Sequence, residues 1–454
     1  MMPMTLQQIA ECTDGRLVGE DLTISSISTD TRTIESGSLF LALTGKNFDG
    51  NKFASDAVAK GAVAVLASEE QQDLAASQVV VTDTTEALGK LATWYRRRWG
   101  NAMVAITGSC GKTTVKGMVA SILSQLNTTW ATQGNLNNHI GVPKTLLSLM
   151  PEHHFAVVEM GASGLGEIEY LTNMAEPQVA LVNNVVPAHL EGFGSVDAIA
   201  KTKGEIYSGL TDDGTAIINL DDQYAGQWLQ SIGERNWIGF SVADHQADVS
   251  ASDVQIDNLG RAQFQLCTHA GRIEIQLNVL GRANVANALA AACCAIPLGV
   301  ELNDIKQGLE QFNAVNGRLN VGRAKNGARL IDDSYNANPG SVKAAIDVLA
   351  ELQGRRILVL GDMGELADEA EAAHREVGRY AKNEDVDQLL TVGPLSNFAV
   401  QEFGEGAHNF ASREALIAAL EPQLSIDAAV LVKGSRSAGM EQVVQAISAQ
   451  GENI

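Results

Sequence analysis

Cysteine is scarce in this chain, with five residues in 454, at positions 12, 110, 267, 293 and 294. The count is odd and no Cys-x-x-Cys spacing occurs. Neither a disulfide framework nor a thiolate zinc site is expected, and a reducing compartment fits. Aromatic residues make up only 5% while glycine is plentiful at 43. That composition favours close-packed helices and sheets over an aromatic-rich binding surface. Basic residues are also few: 32 Lys and Arg stand against 54 Asp and Glu, a formal net charge of −22. Such a chain repels nucleic acid and anionic membrane unless a local basic patch intervenes. The one basic run, Arg96-Arg97-Arg98, reads as the solvated end of a helix. The most apolar stretch, 285–300, contains Asn287 and Pro297 and is too short for a bilayer; it reads as a buried, Ala-rich helix. The first ten residues lack a basic segment followed by an apolar core, so no signal peptide and a cytoplasmic location are expected.

A chain of 454 residues exceeds one hydrophobic core, so two or three domains are expected. Up to about residue 82, short strands (38–43, ended by Thr44-Gly45, and 62–66) mix with a helix over 53–60. The pattern over 84–99 is helical, with Leu88, Leu91, Ala92 and Tyr95 on one face. A strand at 103–106, a helix over 114–126 and continuous apolar strands at 155–160 and 179–183 follow, a pattern suited to a parallel sheet covered on both faces. Residues 246–280 alternate as antiparallel strands do, and 284–295 returns to helix. From about 314, strands at 328–331, 357–360, 388–391 and 429–432 separated by helices predict a second, smaller doubly wound unit. The fold class is therefore α/β, with expected domains at 1–82, 83–313 and 314–454.

The sharpest motif is Thr107-Gly108-Ser109-Cys110-Gly111-Lys112-Thr113-Thr114, set between a strand and a helix. Glycines allow the backbone to approach phosphates, and successive N–H groups with a helix N-terminus supply fixed positive potential. Lys112 can reach terminal phosphates, and the Thr113 hydroxyl can ligate Mg²⁺. The usual spacing G-x-x-x-x-G-K-[ST] would put a glycine at 106, where this chain has Ile106. The loop is thus a shortened variant, and it predicts an ATP-using enzyme. Cys110 reads as a small filler rather than a nucleophile.

The shortened loop resembles that of the Mur ligase family, the ATP-dependent ligases that build the peptide of bacterial cell wall. Further segments strengthen the likeness: 134–143 (Gly-Asn-Leu-Asn-Asn-His-Ile-Gly-Val-Pro), Val182-Asn183-Asn184, 188–194 (Ala-His-Leu-Glu-Gly-Phe-Gly), 201–207 (Lys-Thr-Lys-Gly-Glu-Ile-Tyr), 332–339 (Asp-Asp-Ser-Tyr-Asn-Ala-Asn-Pro), 361–366 (Gly-Asp-Met-Gly-Glu-Leu) and Lys433-Gly434-Ser435-Arg436. The likeness covers essentially the whole chain, and the Asn-rich segments with Lys-Gly-Ser-Arg select the dipeptide-adding branch. It implies three domains: an N-terminal UDP-substrate-binding α/β domain, a central P-loop ATPase-like domain with a mostly parallel sheet, and a C-terminal Rossmann-like domain. It also implies a reaction. ATP phosphorylates the C-terminal carboxylate of UDP-N-acetylmuramoyl-tripeptide, and the amine of D-alanyl-D-alanine displaces phosphate from the acyl phosphate. The protein mainly positions reactants and neutralises crowded anions.

The resemblance implies roles residue by residue. Thr113, Glu159 and His189 would hold Mg²⁺, two ions in all, with Glu159 at the end of a strand beside the loop strand. Lys203, in the pattern Lys-Gly-Glu-Ile206-Tyr207, would carry a CO₂-derived carbamate, which needs a neutral amine; Lys201 has the wrong spacing. Asn287 would meet adenine, Arg318 the phosphates and Asp333 the ribose. The family commonly has Pro-Gly-Arg where this chain has Asn316-Gly317-Arg318, which would loosen the hinge. Asn137 and Asn138 would contact metal or acyl phosphate, although turn-forming asparagines fit as well. Asn336, Asn338, Lys433 and Arg436 are candidates for the dipeptide, and Ser28, Thr31 and Arg32, with the 44–50 segment, for the UDP sugar. A monomer is expected. Two other readings stand beside this one: a family ligase adding a single amino acid, and a nucleotide-binding scaffold with a dead site.

Overall fold

The structure is a computed structural model that describes residues 1–45, 48–187 and 190–449. At the N-terminus a five-stranded sheet runs in the order Arg16–Val18, Ser77–Val80, Ala64–Ala67, Leu39–Leu41, Ile27–Ser28, parallel except for the first strand. Helix α1 (Thr84–Trp99) starts where the Asp83 carboxylate accepts from the N–H groups of Thr85 and Glu86, and stops at Gly100 with φ 73°. Its apolar face buries Leu88, Leu91, Ala92 and Tyr95, as the sequence predicts. The basic triplet at its end does not all face water. Arg96 is 3% exposed, and its Nε donates to Ala175 O at 2.7 Å, satisfying a carbonyl at the end of a neighbouring helix.

The central unit is built on β1 (Ala102–Thr107), α2 (Lys112–Leu123), β2 (Phe155–Glu159), β3 (Val179–Val182), α3 (Val196–Gly204), β4 (Thr215–Asn219), α4 (Ala283–Ala295) and α5 (Leu302–Gln311). Its nine-stranded sheet has the order Thr129–Ala131, β2, β1, β3, β4, Asn236–Ser241, Val249–Ile256, Arg261–Thr268, Gly271–Leu280. The first seven are parallel and the last two antiparallel. Helix α2 begins two residues earlier than the sequence pattern suggests, directly on Gly111, and gives way to turns after Leu123. The strands at 129–131, 215–219 and 236–241 carry no apolar run long enough to predict them.

The C-terminal unit contains β5 (Arg329–Asp333), α6 (Pro339–Ala350), β6 (Arg355–Gly361) and β7 (Ala428–Lys433). Its six strands run Asn320–Arg323, β5, β7, β6, Gln388–Val392, Ala407–Phe410, with only the first antiparallel. The mixed α/β expectation with parallel sheets holds.

Apolar clusters cover both faces of the central and C-terminal sheets. One of them is continuous from Leu6, Ile9 and Ile24, through α1, to Ala105, Val158 and Val182 of the central strands. Each large aliphatic side chain fully buried there contributes about 1.5–3 kcal/mol. This packing fixes the C-terminal ends of β1, β2 and β3 side by side, and the loop that follows β1 opens at that edge.

Candidate active site

The phosphate-loop motif leaves the sheet at Thr107, and Ile106 remains a buried strand residue. A glycine is therefore not needed at 106; the backbone turns at Gly108 and Gly111. Gly111 has φ 77°, and a Cβ there would lie 2.6 Å from both Asn183 Nδ2 and Asn287 Oδ1, so only glycine fits. The loop is laced to the segment after β3. Ser109 N donates to Asn184 O and Cys110 N to Asn184 Oδ1, each at 2.8 Å, while Asn183 Nδ2 donates to Cys110 O at 2.9 Å. No side chain caps the start of α2, so its first N–H groups are open to an anion. Lys112 Nζ lies back on the loop, donating to Gly108 O at 2.6 Å.

Glu159, at the end of β2, is 2% exposed. Its Oε2 accepts from Thr113 Oγ1 at 3.0 Å and sits 3.4 Å from Lys116 Nζ, and its Oε1 accepts from Asn137 Nδ2 at 2.8 Å. Burial alone would raise its pKa, but Lys116, Lys112 and the Asn137 hydrogen bond outweigh that and hold it below the ordinary value. An ionised carboxylate beside a threonine hydroxyl is an oxygen donor set suited to a hard divalent cation. Among the described residues no group of three His, Cys, Asp or Glu side chains clusters as a metal cage. Asn138 does something different from its neighbour. Its Oδ1 accepts from the N–H groups of Ile140 and Gly141, holding the turn that leads into the helix Gly141–Leu147.

Lys203 sits in the last turn of α3, one residue before its end, and is 2% exposed. Among the described residues its amine has no ion-pair or hydrogen-bond partner. Burial, with the nearby charge of Lys112, pulls its pKa down to about 7. Tyr207 is held by its hydroxyl, which donates to Ile217 O at 2.8 Å and accepts from Val182 N at 3.3 Å, tying the segment after α3 to β3 and β4. His189 lies outside the described residues.

The far wall comes from the C-terminal unit. Loop residues 109–114 share a cavity of about 340 Å³ with Asn287, Arg318, Asp333, Asn336, Asn338 and Lys433. Asp333 Oδ2 accepts from Lys433 Nζ at 2.5 Å and its Oδ1 from Leu319 N at 3.2 Å. Lys433 is 2% exposed and also donates to Asn336 O at 2.9 Å. Asn338 caps α6 in a capping box with Ser341, and its side chain meets Cys110 Sγ of the loop at 3.5 Å. Arg436 is exposed and lies 3.5 Å from Glu441. Ser28, Thr31 and Arg32 are not among the cavity residues. They belong to the N-terminal unit, where Ser28 Oγ donates to Asp30 O, Thr31 opens a short 3-10 turn, and Arg32 pairs with Asp30 at 2.6 Å.

Three family models match the chain: "Mur ligase family, catalytic domain" over 23–96, "Mur ligase middle domain" over 106–295 and "Mur ligase, glutamate ligase domain" over 317–436. The UDP-N-acetylmuramoyl-tripeptide--D-alanyl-D-alanine ligase of Escherichia coli K12 is 46% identical, across 99% of this chain and all of that protein. The chain belongs to the Mur ligase family. A crystal structure of MurF from Acinetobacter baumannii superposes with a TM-score of 0.93 at 37% identity, covering 98% of each chain. The MurF ligase of Thermotoga maritima in complex with ADP gives 0.81 at 26% identity, covering 93% of this chain and 96% of that one. Within this Mur ligase, sequence reasoning passed over Asn183, Asn184, Asn284, Lys116 and Tyr335 as site residues. The two adjacent asparagines ending an apolar strand at the C-terminal sheet edge were a usable signal. Lys116 was hidden as one more lysine in a helix.

Proposed function

We propose that this Mur ligase joins D-alanyl-D-alanine to the C-terminal carboxylate of UDP-N-acetylmuramoyl-tripeptide through an acyl phosphate, consuming ATP. The observation that carries the reading is the single cavity with the phosphate loop on one wall and Arg318, Asp333 and Asn336 on the other. It is joined by the near-full-length likeness to enzymes named for that reaction.

A carboxylate is a poor electrophile, and phosphorylation gives it a leaving group. In this reading the open N–H groups of the loop and α2 grip the phosphates, and Lys112 swings from Gly108 O to the terminal phosphoryl group. Thr113 would hold one Mg²⁺, with Glu159 and His189 assigned to a second. When bound, Mg²⁺ neutralises charge on the transferring phosphoryl oxygens. Asn137 steadies the Glu159 carboxylate, and Asn138 shapes the adjoining turn. Asn287 is assigned to adenine, Arg318 to the phosphates and Asp333, braced by Lys433, to the ribose. The neutral Lys203 amine adds to CO₂ and loses a proton, giving a carbamate that orients the reacting groups. The dipeptide amine then attacks the acyl carbon, phosphate departs, and the amine proton is released. Asn336, Asn338, Lys433 and Arg436 are the candidates for holding the dipeptide, and Ser28, Thr31 and Arg32 for the UDP sugar.

We assign the working units as 1–82, 83–313 and 314–454, acting as a monomer in the cytoplasm. No helix among the described residues is long and apolar enough to cross a membrane. The deciding experiment measures phosphate release with ATP and UDP-N-acetylmuramoyl-tripeptide, offering D-alanyl-D-alanine or single amino acids. Release that requires the dipeptide is expected; release with single amino acids only, or none, would overturn the assignment.

A further inference from the structure

Tyr335 follows β5 by two residues and meets the chain where it passes from the central to the C-terminal unit. Its backbone N–H donates to Gly317 O at 3.1 Å. Gly317 has φ 75°, and a Cβ there would lie 3.2 Å from Tyr335 Cβ, so the passing segment lies flat against the tyrosine. Leu319 N donates to Asp333 Oδ1 at 3.2 Å. Segment 317–319 is thus fastened along 333–335 on both sides of Arg318, by a backbone hydrogen bond at Gly317 and by the Asp333 carboxylate at Leu319.

The Arg318 guanidinium lies over the Tyr335 ring, 4.3 Å from its centroid. The guanidinium of Arg436 approaches the same ring at 6.0 Å. Among the described residues the Arg318 side chain has no carboxylate partner. It lines the same cavity as the loop residues 109–114. This combination has a chemical point. A free arginine side chain carries about 2 kcal/mol of rotamer entropy. A carboxylate would order it but cancel the charge that phosphates need. An aromatic face orders it and leaves the charge uncompensated.

We propose that Tyr335 is a positioning residue for the nucleotide, its ring presenting the Arg318 guanidinium to the phosphates while its amide fixes the 317–319 crossing. This rests on the reading of the cavity as an ATP site. The hydroxyl plays no part in it; the flat ring does. Arg436, 6.0 Å from the same ring, brings the Lys433-Gly434-Ser435-Arg436 segment beside the same device.

The test measures the Kd for ADP by calorimetry, with KM for ATP and for the dipeptide, in wild type, Tyr335→Leu, Tyr335→Phe, Arg318→Ala and the Tyr335→Leu/Arg318→Ala double variant. Thermal melts of each show that it is folded. Tyr335→Leu is expected to weaken ADP and raise KM for ATP roughly 5- to 30-fold, with KM for the dipeptide little changed. Tyr335→Phe should stay within about twofold of wild type, because the ring face remains. The double variant should bind ADP no more weakly than Arg318→Ala, because the tyrosine acts through the arginine. The inference is overturned if Tyr335→Leu binds ADP as wild type does, if Tyr335→Phe loses as much as Tyr335→Leu, or if the two single losses multiply in the double variant. A wild-type protein that binds no ADP would instead sink the reading of the cavity, and this inference with it.

Discussion

At the scale of single residues, Lys203 carries the sharpest consequence. Its pKa is about 7 in the fold against an ordinary 10.5, so the neutral amine that a carbamate needs is lost as pH falls through about 7. kcat/KM should drop over that window and recover partly when bicarbonate is raised; a profile indifferent to bicarbonate would count against the carbamate. Between pH 7 and 10.5 the unfolded chain binds the proton that the folded one has released, so this group makes stability rise with pH there. Lys203→Met should remove that slope and raise the urea midpoint at pH 6, where the charged amine is buried at a cost. Lys203→Ala should abolish turnover, with return of activity on adding a short-chain carboxylate. Lys112→Ala should lower kcat about a hundredfold or more in the phosphate-release assay, the scale for losing one preorganised charge-stabilising donor. Lys203 stood out in the sequence through the family pattern it shares with Ile206 and Tyr207, whereas its burial came only from the fold. The contact between Asn183 and Asn287 was not legible, because it joins side chains 104 positions apart and no local pattern encodes it.

At the scale of elements, turns and caps do the positioning. Gly111→Ala would put a side chain into left-handed backbone and against two amides at 2.6 Å. Strain of about 1–3 kcal/mol predicts a roughly 5- to 150-fold weaker ADP complex by calorimetry. Asn338→Ala removes a capping box and should cost about 1 kcal/mol, a fall in Tm of about 2–4 °C in a calorimetric scan. Long amphipathic elements such as α1 and the apolar central strands were readable because burial stamps a period on them. The strands 129–131 and 407–410 were not, since three or four residues at a sheet edge show no period and are held by pairing with partners far along the chain. The start of α2 was misjudged by two residues for a related reason: the loop and the helix share Lys112 and Thr113, which serve a site rather than an apolar face.

At the scale of the molecule, the cavity draws its walls from the central and C-terminal units at once, and Asn338 already meets Cys110 across the gap. Nucleotide should therefore stabilise the pair of units together: at one hundred times its Kd, ADP should contribute about 2.7 kcal/mol and raise Tm. It should also slow proteolysis near residues 313–318; cleavage there unaffected by ADP would contradict a shared site. The N-terminal unit stands in a different relation to the rest. Its apolar side chains at Leu6, Ile9 and Ile24 belong to the same cluster as α1 and the strands β1 to β3, and Tyr95 of α1 accepts from Met2 N and donates to Leu149 O. During synthesis, then, the first 82 residues leave the ribosome without the neighbours that cover them. Residues 1–82 expressed alone should therefore expose Leu6, Ile9 and Ile24 and aggregate, and a soluble, cooperatively melting fragment would contradict this.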